Sequence, residues 1–190
     1  MIRDLIIKNR SIRRFDESVK ISGSQIAKWV ELARFSASGR NMQPLKYFII
    51  TSENTGKQIF PYLGWAGYLT DWPGPKEGER PVAYIAVMLD KSLSLKYFCD
   101  DGIAIQSILL GAVEEGFGGC ILGSYNKTRI SEILELPGEL EILWMIALGK
   151  PLEKVVLETA VGDDIKYWRD RDNVHHVPKR PLDELIFNSK

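Results

Sequence analysis

Apolar positions along this chain fall into runs of two periods, and the changes of period mark the elements. Leu5, Ile6 and Ile12 suggest a short helix over 4–9 that ends by delivering Arg10 and Ser11 to a loop. Ser22 with Gln25 three residues later forms a capping box, opening a helix with Ile26, Trp29, Val30 and Ala33 on one face that runs out near Ser36. Tyr47 to Thr51 is an apolar, β-rich run behind Pro44, hence a strand, and residues 56–66 suit a short helix. Asp71 to Pro81 is dense in turn formers, a loop long enough to expect a functional use. Val82 to Leu89 reads as a buried strand. Leu95 to Glu115 reads as a long helix, apolar around most of its circumference and therefore central.

Gly116-Phe117-Gly118-Gly119 breaks that helix, and Cys120-Ile121-Leu122 leaves as a strand ending at Gly123-Ser124. A short helix over Lys127–Leu134, a Pro137-Gly138 turn and a buried strand over Ile142–Leu148 follow. From Lys150 onward the chain is polar with charges alternating in sign, which predicts an irregular but ordered wrapping arm. Strands and helices mix without strict alternation, so the fold class expected is α+β with a central mixed β-sheet packed by helices, a single domain over residues 1–190.

Composition narrows the function. Lys+Arg and Asp+Glu are both 25, so the molecule as a whole has no bias toward nucleic acid or an acidic membrane, and any anion site is local. Two cysteines, Cys99 in the long helix and Cys120 in an apolar run, are too few for a disulfide framework, and no run of about 18 apolar residues occurs. A soluble, cytoplasmic protein without membrane partner is expected. No Gly-x-Gly-x-x-Gly follows the first strand and no phosphate loop ends in Gly-Lys-Ser/Thr, which argues against a Rossmann dinucleotide site and a nucleotide triphosphatase.

Chemistry concentrates in three places. Arg10-Ser11-Ile12-Arg13-Arg14 offers three guanidiniums and a hydroxyl, suited to bidentate bonds with a phosphate or, alternatively, a solvated basic surface. Lys179-Arg180 is a second basic pair, fixed in direction by Pro178 and Pro181. Ser38-Gly39-Arg40-Asn41-Met42-Gln43-Pro44 is a polar turn suited to the edge of a flat heterocycle.

These segments, with Ala104 to Leu110 as a central helix and Gly116 to Gly123 as a Gly-rich turn and strand, resemble in order and spacing the signature of the nitroreductase family. The resemblance implies an FMN-dependent oxidoreductase that takes electrons from NADH or NADPH and passes them, by a ping-pong mechanism, to a nitroaromatic, quinone or similar small-molecule acceptor. It implies a homodimer with a C-terminal arm. Arg10, Ser11 and Arg13 would meet the ribityl chain and phosphate, closed upon by Lys179 and Arg180. Ala37, Ser38, Gly39, Asn41 and Gln43 would meet the pyrimidine side of the ring from the partner subunit. Ile121, Leu122 and Gly123 would line the ring near N5, and Arg13 would stand near its N1 and O2 edge. No catalytic acid or base is required, because hydride transfer is the flavin's chemistry. Two positions depart from many relatives: Asn9, where a basic residue is common, and Ala37, where proline is.

Same-fold alternatives are a dehalogenating or flavin-fragmenting enzyme and a non-catalytic FMN-binding protein. Trp65, Tyr68 and Trp72 suit stacking on an acceptor or plain packing, and Tyr68 and Trp72 are taken as substrate candidates. Asp100-Asp101 point about 100° apart on a helix, so a structural or solvated role is expected. His175-His176 have no Cys, Asp or Glu at ligand spacing beside them in sequence, so no metal is expected. Cys120 reads as a small core residue.

Overall fold

The structure is a computed structural model that describes residues 1–187. Helix α1 (Ile2–Lys8) stops at Asn9, and the chain runs extended through Arg13 to a two-residue strand, β1 (Phe15–Asp16). Helix α2 (Gly23–Phe35) starts where Ser22 predicts, its Oγ accepting the Gln25 N–H at 3.2 Å. The box is closed on one side only, since the Gln25 side chain donates to Glu115 instead. Strand β2 (Leu45–Ile50) and helix α3 (Glu53–Ile59), capped by Ser52, precede the loop that leads to β3 (Ala83–Asp90).

Every residue of β3 is buried, and alternation sends its side chains to two cores. Ile85 and Val87 meet Ile26 and Trp29 of α2 and Ile105 and Ile108 of α4 (Asp100–Glu114) on one face. Tyr84, Ala86 and Met88 meet Ile59 of α3 and Ile130 of α5 (Lys127–Ile133) on the other. Helix α4 is central as expected but begins at Asp100, not Leu95, and Cys99 precedes it rather than lying within it. Phe98 has φ +48°, a left-handed turn that no helix carries through, which apolar spacing alone does not signal.

Gly116 at φ +77° ends α4, with the Phe117 N–H reaching Ala112 O and the Gly116 N–H reaching Val113 O, a Schellman close. Strand β4 (Gly118–Leu122) then pairs with β5 (Leu140–Pro151), whose residues pair β3 as well as β4. The sheet order is β1-β5-β3-β2 with β4 on β5, and every pair of named strands in it is antiparallel. The mixed central sheet expected from sequence is therefore corrected: apolar runs look alike in either direction, and the connections decide which forms. Mixed pairing occurs instead in the segment expected to be irregular. There β6 (Val155–Thr159) lies parallel to β8 (His175–Lys179), which lies antiparallel to β7 (Trp168–Arg169), ahead of a short α6 (Leu182–Leu185). Between β5 and this small sheet, the Leu152 N–H donates to Arg14 O.

Candidate functional site

The extended stretch after α1 lies along β4, through a parallel bridge from Ser11 to Gly119 and the Ile12 N–H on Gly119 O at 2.9 Å. Glycine is required there, since a Cβ on Gly119 would stand 2.7 Å from Ala147 O and 2.7 Å from Leu109 Cδ2. This close approach, with β8 on the far side, encloses a cavity of about 330 Å³. Arg10, Ser11, Arg13, Ile121 and Lys179, all singled out in the sequence, line it together. A second cavity of about 300 Å³ shares Arg13, Ile121 and Tyr167 with the first and continues past Leu122 and Gly123 toward Gly64–Gly67. The two adjoin as one trough, basic at one end and walled by backbone and apolar groups at the other.

Arg13 is 8 % exposed. Its Nη1 donates to Ser11 O at 3.3 Å and to His175 Nε2 at 3.2 Å, and its guanidinium lies 4.8 Å from the Tyr167 ring centroid. Glu153, the nearby buried carboxylate, is committed elsewhere: it accepts the Arg13 backbone N–H and pairs with Arg169 Nη2 at 2.9 Å. The Arg13 guanidinium thus has no ion pair among the described residues. Burial of such a charge without a counter-ion is costly, and an anionic ligand repays it. Arg10 contributes in the same way, its Nη2 on Ile6 O at 2.7 Å and its Nε buried without partner, while burial pushes its guanidinium down. A phosphate with a flat polar group beside it fits this donor set, and the two volumes are of the size that ligand sites have, about 300–1,000 Å³.

The remaining candidates lie elsewhere. Arg180 does not line the trough; it pairs with Asp163 at 3.0 Å and Glu184 at 3.3 Å. Arg14 is held by both oxygens of Glu79, at 3.0 and 2.7 Å, which raises its pKa and makes it a clamp rather than a ligand contact. Ala37, Ser38 and Gln43 border a separate hollow of about 190 Å³ with Tyr47 and Asp100, and Gly39 and Asn41 belong to the same turn. Asp100 organises that turn, accepting from Ser38 Oγ at 2.6 Å and from the Gly39 N–H at 2.8 Å. Burial, then the Asp100 charge, pushes the Tyr47 phenol up to about 12. Asp101 turns away to accept the Trp144 indole N–H at 2.7 Å, so the pair is structural as its spacing suggested.

Tyr68 and Trp72 border a third hollow of about 380 Å³ with Trp168 and Arg169. The Tyr68 ring packs 4.9 Å from Tyr167, and the Arg169 guanidinium covers Trp72 at 4.2 Å. Tyr68 reaches the trough through Tyr167, whereas Trp72 and Arg169 stand outside its lining. Cys120 is a core residue whose thiol burial pushes up.

Sequence reasoning missed Asn9, Gln106, Tyr167 and His175 as trough residues. Asn9 carried a signal, as the position where a basic residue is common; its amide donates to Gln106 Oε1 at 3.2 Å, tying the stretch to α4. Tyr167 and His175 carried none, because the short strands that place them have no apolar period. Burial first, then the charges of Arg13, Arg169 and His176, pushes His175 down to about 4. His176 goes the opposite way, raised by Glu158 and then Asp170. No cluster of three or more metal-ligating side chains occurs among the described residues.

The profile of the nitroreductase family matches residues 6–68 and 98–150. An oxygen-insensitive NADPH nitroreductase of Helicobacter pylori strain J99 is 24 % identical over 181 residues, covering 78 % of this chain and 86 % of its own. A nitroreductase family protein of Streptococcus pneumoniae TIGR4 superposes over 100 % of both chains with TM-score 0.71 at 16 % identity. A protein of Exiguobacterium sibiricum 255-15 solved in complex with FMN covers 100 % of this chain and 97 % of its own, with TM-score 0.70 at 18 % identity. With the profile spanning well over half its length and the same fold in these relatives, this chain belongs to the nitroreductase family.

Proposed function

We propose that this protein is an FMN-dependent oxidoreductase that takes hydride from NADH or NADPH and reduces nitroaromatic, quinone or similar acceptors in a ping-pong cycle. The observation that carries this reading is Arg13, a buried guanidinium without a counter-ion among the described residues, at the middle of a trough that Arg10 and Lys179 make basic at one end. FMN, when bound, supplies the hydride chemistry. The chain's residues would bind and orient it: Arg10, the Ser11 hydroxyl and Lys179 would hold the phosphate, and Arg13 would hold positive charge beside the pyrimidine edge. Ile121, Leu122 and Gly123 would present backbone toward the ring, with Gly64–Gly67 along the same cavity. Arg180, engaged by Asp163 and Glu184, has no part in the phosphate site of its own subunit.

The Ser38–Gln43 turn lies at a separate hollow, which supports the reading in which it serves the flavin of a second subunit in a homodimer. Among the described residues no helix is long and apolar enough to cross a membrane.

The test is direct. Purified protein is expected to be yellow or to take up FMN, and anaerobic stopped-flow mixing with NADH and NADPH is expected to bleach the flavin with recovery on adding acceptor. Colourless protein that takes up no added FMN would sink the reading; FMN uptake without bleaching would make the chain a binder and not an enzyme. Arg13→Ala is expected to weaken FMN binding by roughly 1.5 to 3 kcal/mol, the loss of bonds to a charged group.

A further inference from the structure

The arrangement around Arg13 separates two tasks that one carboxylate usually performs together. An Arg is commonly fixed by an Asp or Glu, at the cost of cancelling much of its charge. Here Glu153 stands close enough to do so, yet its oxygens go to the Arg13 backbone N–H and to Arg169. The guanidinium is instead held at Nη1 by a neutral-type acceptor, His175 Nε2 at 3.2 Å, and on one face by Tyr167 at 4.8 Å. Tyr167 also contacts the His175 ring at 5.2 Å. Nε of Arg13 is buried without a partner, and the side chain lies beside the Cys120 thiol. The guanidinium borders both cavities of the trough with its charge uncancelled by any carboxylate among the described residues.

We propose that His175 is the positioning residue for Arg13: the imidazole accepts from Nη1 and fixes the guanidinium at the wall of the trough while leaving its full charge for a bound anionic group. The groups facing His175 agree with this role. Arg13, Arg169 and His176 present positive charge, Glu153 is already paired with Arg169, and the ring Nδ1 is buried with no partner among the described residues. Their field and the 1 % exposure of the residue keep the ring neutral at pH 7, with its proton on Nδ1 and Nε2 free to accept. A protonated ring would repel Arg13 from that position.

As a statement about the cofactor, the role rests on the FMN reading above, so the test has an arm independent of it. In the apo protein, imidazole nitrogen NMR is expected to show His175 neutral with the proton on Nδ1 at pH 7, titrating well below 6.5, and Arg13→Gln is expected to move that titration upward. A His175 that titrates near 6.5 in the wild type, or that ignores Arg13→Gln, overturns the proposal. In the loaded protein, His175→Phe keeps a ring against Tyr167 but removes the acceptor, whereas His175→Gln keeps a neutral acceptor. The Phe variant is expected to bind FMN about tenfold or more weakly and to shift the bound flavin to a lower reduction potential, with Gln restoring most of both. Wild-type affinity and potential in the Phe variant, or equal impairment in both variants, overturns it as well. If the Phe variant does not fold, the apo titration decides alone. Failure of the wild type to bind FMN, with the apo titration as expected, removes the cofactor and leaves the Arg13 positioning in place.

Discussion

Removing the Asp100 carboxylate should release the turn that follows α2. Asp100 is 3 % exposed and opens α4, and its two oxygens hold Ser38 Oγ and the Gly39 N–H. Ser38 Oγ in turn accepts the Gln43 N–H at 2.9 Å. The turn they pin is strained: Arg40, Asn41 and Gln43 sit at φ +54°, +55° and +49° without being glycine. Such geometry persists only where something outside it compensates, and Asp100 is that group. Two hydrogen bonds to a charged acceptor contribute about 1.5–3 kcal/mol each, part of which the half-exposed turn recovers from water, so Asp100→Ala is expected to cost about 3 kcal/mol. For a chain of this size that is a fall in Tm of roughly 6–12 °C. Asp100→Asn keeps one acceptor for Gly39 and should cost about half as much. Urea unfolding at constant m measures the loss, and amide exchange should accelerate at Gly39 and Gln43 first. An Asp100→Ala protein within about 0.5 kcal/mol of wild type, with those amides as protected as before, refutes the reasoning.

Three further outcomes are expected. In the apo protein the two adjacent histidines oppose each other in pH. His175, lowered to about 4 from 6.5, binds fewer protons folded than unfolded, so between those values stability rises with pH and about 3 kcal/mol is lost on acidification; its Phe variant should flatten that slope in urea melts from pH 4 to 7. His176, raised by Glu158 and Asp170, contributes stability that is present below pH 6.5 and lost as pH rises through its folded value, so His176→Asn should remove stability at pH 6 and little at pH 9. Gly119→Val drives a side chain into Ala147 O and Leu109, and calorimetry should show a loss of about 1–3 kcal/mol together with weakened ligand binding in the trough. Trp72→Ala strips the ring from under Arg169; acceptor KM should change while FMN affinity stays within about twofold, and unchanged acceptor kinetics would return Trp72 to packing.

Much of this was legible in the sequence where a residue acts locally. Ser22 and Ser52 cap the helices they precede, and the unbroken apolar run at 82–89 is a strand buried on both faces. The trough's N-terminal arginine stretch and its lining strand β4 were readable as motifs with fixed order. What was not legible depends on contacts across the chain. Strand direction follows from connections, the late start of α4 from one left-handed residue at Phe98, and β7 is two residues long. His175 and Tyr167 matter through what they touch, Arg13, which lies more than 150 positions away.

The trough draws its walls from five stretches widely separated in the chain: 9–13 before β1, 64–67 after α3, 106–109 on α4, 119–124 on and after β4, and 167–179 in the closing small sheet. No single stretch encloses any of it. Loops this long close late in folding, because their ordering entropy precedes the contacts that reward it. A chain still emerging from the ribosome would carry a finished β3 core before it carried any place for a ligand. Ligand capture then occurs only on a completed fold, and, by stabilising that fold over all partly closed forms, it ties the lifetime of the native protein to the supply of that ligand.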